Sequence, residues 1–499
     1  MSASRASDVI VIGSHAGGLA AAALLAQAGH SVQHVDHDGH LGGYVDGGLV
    51  LPTGPELLPD LSDAPVFQRL RERLELDAPL AQSLRPARTP LQLLAPGVRM
   101  ALPGDEADLR RELTRELGAS AAPGALTFLA AARGGARESD ALLSDEALEL
   151  PATGIAGKWR SKRRLKQAPA ERSAPPAPPL LGAAAAGLHR LSSYLWTDAP
   201  TPLHTQRAQG QLFGPLRRVR APDLRHDGYA GLLRARLEAL GGRLAEGAVV
   251  EGLQLERGRV TGVRLLDDPS PLEARYVISA LDTAAFKRLI PLEGRKKRYD
   301  STLDSLRVRE LLFSTNLVMA PEGWPPGLGE AALWIEDPAG PIEEHNFLLL
   351  QRFEARDPAG KLRPQVVLQI SCFIDAKHRE VGAPWLSALQ DRLIDHLEAG
   401  PLPFLRRHLK LVSSPYLIPA ASARGARLSP HPLFETSLPS PWGVEALPPR
   451  TPYANLFQAG REVIPGLGLE GELMAGAQAA RIVAEALARD AKREARRRS

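Results

Sequence analysis

The 499-residue chain contains a single cysteine, Cys372. One thiol excludes an internal disulfide framework and any cysteine-rich metal site, and it suits a reducing, cytoplasmic location. Cys372 has no activating motif beside it and reads as a small buried apolar residue. Aromatic residues make up only 5% of the chain, too few to mark an aromatic cage over a polar substrate. No apolar run nears the ~20 residues that a membrane span needs. No secretory leader is legible either, because Asp8 to Ile12 already reads as a buried strand. The formal charge of +4 is too small to point to nucleic acid, and no such partner is expected. Neither a Gly-x-Ser-x-Gly elbow nor a P-loop is present, which removes two large enzyme classes.

The first informative stretch is Asp8 to Asp36. "DVIVI" is a short β-branched run of the kind buried on both faces of a parallel sheet. The turn Gly13, Ser14, His15, Ala16, Gly17, Gly18 leads into an Ala/Leu-rich helix that Gly29 ends. A second strand, Ser31 to Val35, delivers Asp36 at its tip, 23 residues after Gly13. An acid at that spacing suits a ribose hydroxyl pair, and the turn suits a pyrophosphate at a helix N-terminus. Gly13 allows the tight turn, and Gly18 lets the helix pack closely. His15 stands where the second glycine of a Gly-x-Gly-x-x-Gly motif brings the backbone to a phosphate. Two readings follow: His15 turns aside or donates to the phosphate, or the nucleotide site is weakened or lost.

After Asp36 come His37, the pair Gly42-Gly43 followed by Tyr44, and then Gly54-Pro55. This arrangement resembles the FAD-binding family that includes phytoene desaturases, carotenoid isomerases, retinol saturases and amine oxidases. Two later segments carry the same resemblance. In "AEGAVVEGLQLERGRVTGVRLL", alternation at Leu253, Leu255, Val260 and Val263 reads as a hairpin of half-buried strands. Val250 matches the family residue whose backbone meets the adenine end of FAD. "YVISAL", Tyr276 to Leu281, reads as the strand returning beneath the nucleotide. The last segment, "NLFQAGREVIPGLGLEGELMAGAQAA", gives an apolar strand, Gly460, a Pro-Gly turn, then Gly468, Leu469, Glu470 and Gly471 before an Ala-rich helix. That helix is expected to point its orphan amides at the flavin. Arg461 replaces the acid that follows this glycine in most relatives. Its planar donors suit a diphosphate but accept nothing from a ribityl hydroxyl.

The resemblance implies an α/β fold with a Rossmann-like FAD-binding domain, of the two-dinucleotide-binding-domain type, built from discontinuous segments. Residues 1–60, 216–290 and 443–490 would form it. A second, α+β substrate domain would take 61–215 and 291–442, where "EHNFLLLQRF" and "QVVLQISCFI" look like paired strands. Residues 158–182, basic and then Ala/Pro-rich, are expected to be a flexible loop, and 491–499 a basic tail. Both are expected to lie in solvent or, peripherally, against an anionic membrane surface. His30, His34, His37 and His40 lack paired ligand spacing, so no metal is expected.

The expected activity is FAD-dependent hydride transfer between flavin N5 and a long apolar, isoprenoid- or lipid-like substrate. No catalytic acid or base is identifiable. The alternative, favoured by His15 and Arg461, is a non-catalytic scaffold that binds a lipid or a protein.

Overall fold

The computed structural model describes residues 6–36, 42–55, 57–166, 176–197, 201, 203, 205–206, 216–219, 228–378, 382–417 and 431–498. Its first sheet has seven strands and is centred on the first strand, Ala6–Ile12. Val9 to Ile12 have no solvent exposure, as a strand flanked on both faces requires. Val32–Val35 pairs parallel on one side and Asp268–Ser279 parallel on the other. Arg243–Ala245 and Leu456–Gln458 extend the parallel set outward. The long Asp268–Ser279 strand also pairs antiparallel with Arg259–Leu265, which turns back onto Val250–Glu256. Leu253, Val260 and Val263 face inward, so the expected hairpin forms with its apolar side buried.

The first helix, Ala16–Gln27, is apolar on nearly every side because it is covered on nearly every side. It lies between the sheet, the Gly228–Ala239 helix and the long last helix, Gly468–Arg498. The contact with the last helix is backbone to backbone. A Cβ on Gly476 would sit 2.1 Å from the Gly17 carbonyl oxygen. Small residues at the crossing therefore set how closely the two helices approach.

The second sheet has ten strands. Its centre is Leu306–Met319, Leu362–Asp375 and Phe347–Arg356 in antiparallel order. The last two are the strands expected to pair. Apolar clusters cover both faces, one including Phe347, Phe373 and Leu433 and the other Phe313, Ile370 and Leu393.

Some elements pack otherwise than the expected division groups them. Gly43–Asp46 and Leu49–Pro52, placed with the nucleotide domain, belong to the second sheet, where Val50 pairs with Arg356. The Pro65–Leu74 helix, placed with the substrate domain, buries Phe67, Leu70 and Leu74 in the same core as the first helix. Of the expected loop over 158–182, the basic run lies in the Gly154–Leu165 helix and the end in a helix from Pro179 to Leu191, while 167–175 lie outside the described residues. The expected basic tail is exposed over 491–497 and continues the last helix to Arg498. In both places Lys, Arg, Ala and Leu are strong helix formers, and that propensity prevails where charge alone suggests disorder. No helix among the described residues is long and apolar enough to cross a membrane.

Candidate functional site

The turn between the first strand and first helix is locked from several directions. Gly13 has φ +99°, and a Cβ there would lie 2.7 Å from the Ala280 carbonyl oxygen. Its amide donates to Val35 O at 2.9 Å, and its own carbonyl accepts from His34 Nε2 at 2.9 Å. A carbonyl only accepts, so Nε2 carries the proton, and His34 is a strut for the turn. No group of histidines and acids suited to a metal occurs among the described residues. At Gly18 a Cβ would meet Ala280 Cβ at 2.5 Å, so this glycine serves close packing onto the returning strand.

At the tip of the second strand, Asp36 is buried and accepts a hydrogen bond from Ser14 Oγ. Arg234 approaches it at 3.9 Å and also pairs with Glu246. Val250 is buried with Ile10, Ile12 and Val35. The structure thus gathers Ser14, Asp36 and the Val250 strand around one end of the parallel sheet.

His15 caps the first helix in an extended conformation, φ −62° and ψ 149°, without a side-chain hydrogen bond to the helix. Ala16 follows as the first helical residue and is buried. The imidazole is 9% exposed, and its Nδ1 has no hydrogen-bond partner among the described residues. Burial first, and then the Arg461 charge, push its pKa down to about 4, with Asp282 pulling weakly the other way. The ring is neutral at physiological pH.

Arg461 is gripped by Asp282 through two bonds, Nε at 2.9 Å and Nη2 at 2.8 Å. The guanidinium lies 5.8 Å from the centre of the Tyr194 ring. Burial opposes its charge, but Asp282, Tyr194 and Glu472 more than offset it, so Arg461 stays cationic. Next to it, Glu462 is buried and accepts from the Thr283 amide at 2.8 Å. Burial, then Asp282, push Glu462 upward.

The glycines before the last helix have two kinds of neighbour. At Gly468, φ +54°, a Cβ would lie 2.1 Å from Ser192 O, and at Gly471 one would lie 2.1 Å from Ile464 O. Both are demanded by the protein itself. At Gly460 a Cβ would meet only ordinary contacts, the nearest being Leu281 O at 3.5 Å. Leu469 packs partly on the first core, and Glu470 is buried. Glu472 Oε1 accepts the Gly17 amide at 3.1 Å, which brings a carboxylate to the first turn of the first helix.

The structure therefore brings Gly13, Ser14, His15, Ala16, Gly17, Gly18, Asp36, Arg461 and Glu472 together, with Gly460 following Ala459, which meets Gly17, and the Gly468–Gly471 turn just preceding Glu472. Tyr44 lies in the second sheet. Its ring packs with Val318, Phe353 and Val367, and its hydroxyl bonds Ser413 at 2.9 Å and Asn316 at 3.0 Å. Burial pushes its pKa up to about 12, so it is a neutral bracket within the second sheet. Gly43 pairs with Pro52 in that sheet, and the Gly42 carbonyl accepts from Thr53. His37 lies outside the described residues. Sequence reasoning missed Asp282, Glu462 and Glu472. The first follows "YVISAL" directly and caps the Thr283–Leu289 helix, a position where Asp is common.

The pattern of an NAD(P)-binding Rossmann-like domain matches residues 11–74. No curated protein matches the sequence. Among solved structures, an oxidoreductase from Methanosarcina mazei is 16% identical with a TM-score of 0.55, covering 94% of this chain and 98% of its own. A putrescine oxidase triple mutant from a structure-based redesign of cofactor binding is 15% identical at 0.57, covering 97% and 99%. Cyclohexylamine oxidase from Brevibacterium oxydans is 16% identical at 0.54, covering 96% and 99%. At such identities the likeness speaks for the fold, and the chain has the fold of these oxidoreductases over nearly its whole length.

Proposed function

We propose that this protein is an FAD-dependent oxidoreductase that holds the dinucleotide across the Gly13–Gly18 turn and acts on a long apolar substrate. The observation that carries the reading is His15, a buried neutral imidazole at the first helix's amino end with an unpartnered Nδ1. A protonated Nδ1 there would donate to a phosphate oxygen. The helix's positive end favours the same group. On this reading Asp36 would accept from a ribose hydroxyl and the Val250 backbone would meet the adenine edge, while Gly460 has only ordinary contacts at 3.5 Å and beyond. These residues fit the adenosine and diphosphate parts of FAD. When bound, a flavin supplies a two-electron acceptor or donor for hydride transfer.

The chain's own contribution is to bind, orient and exclude water. A hydrocarbon offers no acidic proton, so no side-chain base is required, and none is assigned. The apolar substrate rests on the three segments that resemble desaturases. Two of the similar folds are oxidases named for amines, so turnover of an isoprenoid polyene against a primary amine separates the substrate classes.

A second reading, a scaffold without cofactor, is favoured by the Glu472 carboxylate, which already takes the Gly17 amide. The absorbance spectrum of the purified chain decides between them. Flavin bands, with FAD released on heating, support the enzyme. A protein that stays colourless after incubation with FAD overturns it. In the scaffold case, His15→Gly that recovers flavin binding identifies the imidazole as the obstruction.

A further inference from the structure

The Gly154–Leu165 helix, GIAGKWRSKRRL, contains no acid and divides cleanly into two faces. Ser161 and Leu165 point inward: Ser161 Oγ accepts from Trp442 Nε1 at 2.8 Å, and Leu165 packs on the first core. Two of its arginines fasten it to neighbouring carbonyls. Arg164 reaches Ala141 O at 2.6 Å and Leu142 O at 3.3 Å, and Arg160 reaches Ala147 O at 3.2 Å. Ala141 and Leu142 end the Ala122–Leu143 helix, whose last carbonyls lack intrahelical partners. The helix is thus held in place by its inner side and by two of its own charges.

The outward stripe is Ile155, Lys158, Trp159, Lys162, Arg163 and Lys166, at spacings of three and four. Ile155 is 92% exposed and Trp159 64% exposed, among the most exposed large apolar side chains described. The four cations pair with no carboxylate among the described residues, and Arg163 lies 5.7 Å over the Trp159 ring. A purely solvated face has no use for an exposed Ile and Trp, and a phosphate backbone would neutralise the lysines while leaving Ile155 in water. An anionic bilayer surface meets both needs at once: headgroup phosphates for the cations, and the interfacial zone for Trp and Ile.

We propose that this helix face docks the protein onto anionic lipid bilayers. The proposal stands apart from the cofactor reading, since none of its residues belongs to the nucleotide site. The test is vesicle flotation of the full chain at near-physiological salt. Phosphatidylglycerol/phosphatidylcholine vesicles are compared with phosphatidylcholine alone. The expected result is binding to the anionic vesicles only. Lys158→Glu/Lys162→Glu/Arg163→Glu should weaken it roughly 100-fold, and Ile155→Ser/Trp159→Ala about tenfold. Because all five side chains point outward, thermal melts of both variants should match the parent, so any loss of binding is not loss of fold. No binding to anionic vesicles overturns the proposal, as does equal binding by parent and variants. So does charge-dependent retention of a short DNA duplex with no response to Trp159→Ala, which would assign the face to nucleic acid.

Discussion

The two sides of the nucleotide site are built from one strand-turn-helix unit, yet they handle charge in opposite ways. On the strand-tip side, Asp36 is met by Ser14 and by Arg234, which a second acid, Glu246, also balances. That arrangement asks only for one more hydroxyl. On the helix-end side, Arg461 is shared among Asp282, Tyr194 and Glu472, and a buried neutral imidazole feels both Arg461 and Asp282. The first side is of ordinary polarity, whereas the second is a buried charge cluster, where the proposed dinucleotide would set its diphosphate. The difference lies in how each side balances its buried charge, although both grow from the same strand and helix.

Acid should attack the helix-end side with the largest effect. His15 and His431 are both held at about 4, by burial above all, and both feel Arg461. An unfolded histidine titrates near 6.5, so the unfolded chain binds more protons between these values. Stability from the neutral rings is full above 6.5 and is lost as pH falls through 4. The loss is roughly 3 kcal/mol per ring. Glu462 has the opposite sign but is common to all variants. Urea unfolding of the parent and of His15→Gln/His431→Gln from pH 7 to 4 should differ in slope by about 6 kcal/mol in total. Parallel curves would show that the rings are not buried neutral.

Glycine substitutions separate what the protein demands from what a ligand demands. A Cβ on Gly17 would lie 2.1 Å from Ala459 O and 2.6 Å from Glu472 O, both backbone atoms. Gly17→Ala should cost about 3 kcal/mol in thermal or urea unfolding. Gly460→Ala has only ordinary contacts to meet and should cost under about 1 kcal/mol, while lowering FAD affinity if the space beside it holds the dinucleotide. Equal destabilisation by both would remove Gly460 from the site. Arg461→Met should follow at about 2 kcal/mol. That is less than a fully buried pair because the Asp282 side chain is 38% exposed. In this variant the His15 titration followed by NMR should move upward, since the Arg461 charge is one of the two causes holding it down.

Most of the fold is legible from residue pattern. Val9 to Ile12, the Gly13–Gly18 turn and the Asp36 tip each obey a local rule, and the hairpin at Val250 follows period-two alternation. What stayed hidden depends on long-range contact. Nothing near Tyr44 in the sequence shows that its hydroxyl meets Ser413, 369 positions away. The Glu472–Gly17 bond spans 455 positions and joins the first helix to the last. The basic run was misread because charge density suggests a solvated loop, while its Lys, Arg and Leu favour a helix that Arg164 docks onto the Ala141 and Leu142 carbonyls. Local chemistry set the elements, and distant partners set the charge balance of the site.

Glu472 provides the finest test of the comparison. Its carboxylate accepts the Gly17 amide, a bond that a neutral amide oxygen can also make, so Glu472→Gln should lower the unfolding midpoint only through its lost attraction to Arg461. What it removes is one negative charge at the helix end where a diphosphate would sit. At the effective dielectric of a partly buried site, one such charge is worth about 1 kcal/mol, or roughly a five- to tenfold gain in FAD affinity by fluorescence titration. Asp36→Asn removes the same charge from the strand-tip side, where the acid should accept a ribose hydroxyl. There affinity should fall, by about 1–2 kcal/mol. Opposite signs from the same chemical change would establish that the two sides do different work. Two losses would return Glu472 to a purely structural cap, and two gains would place the dinucleotide's phosphates near Asp36 instead.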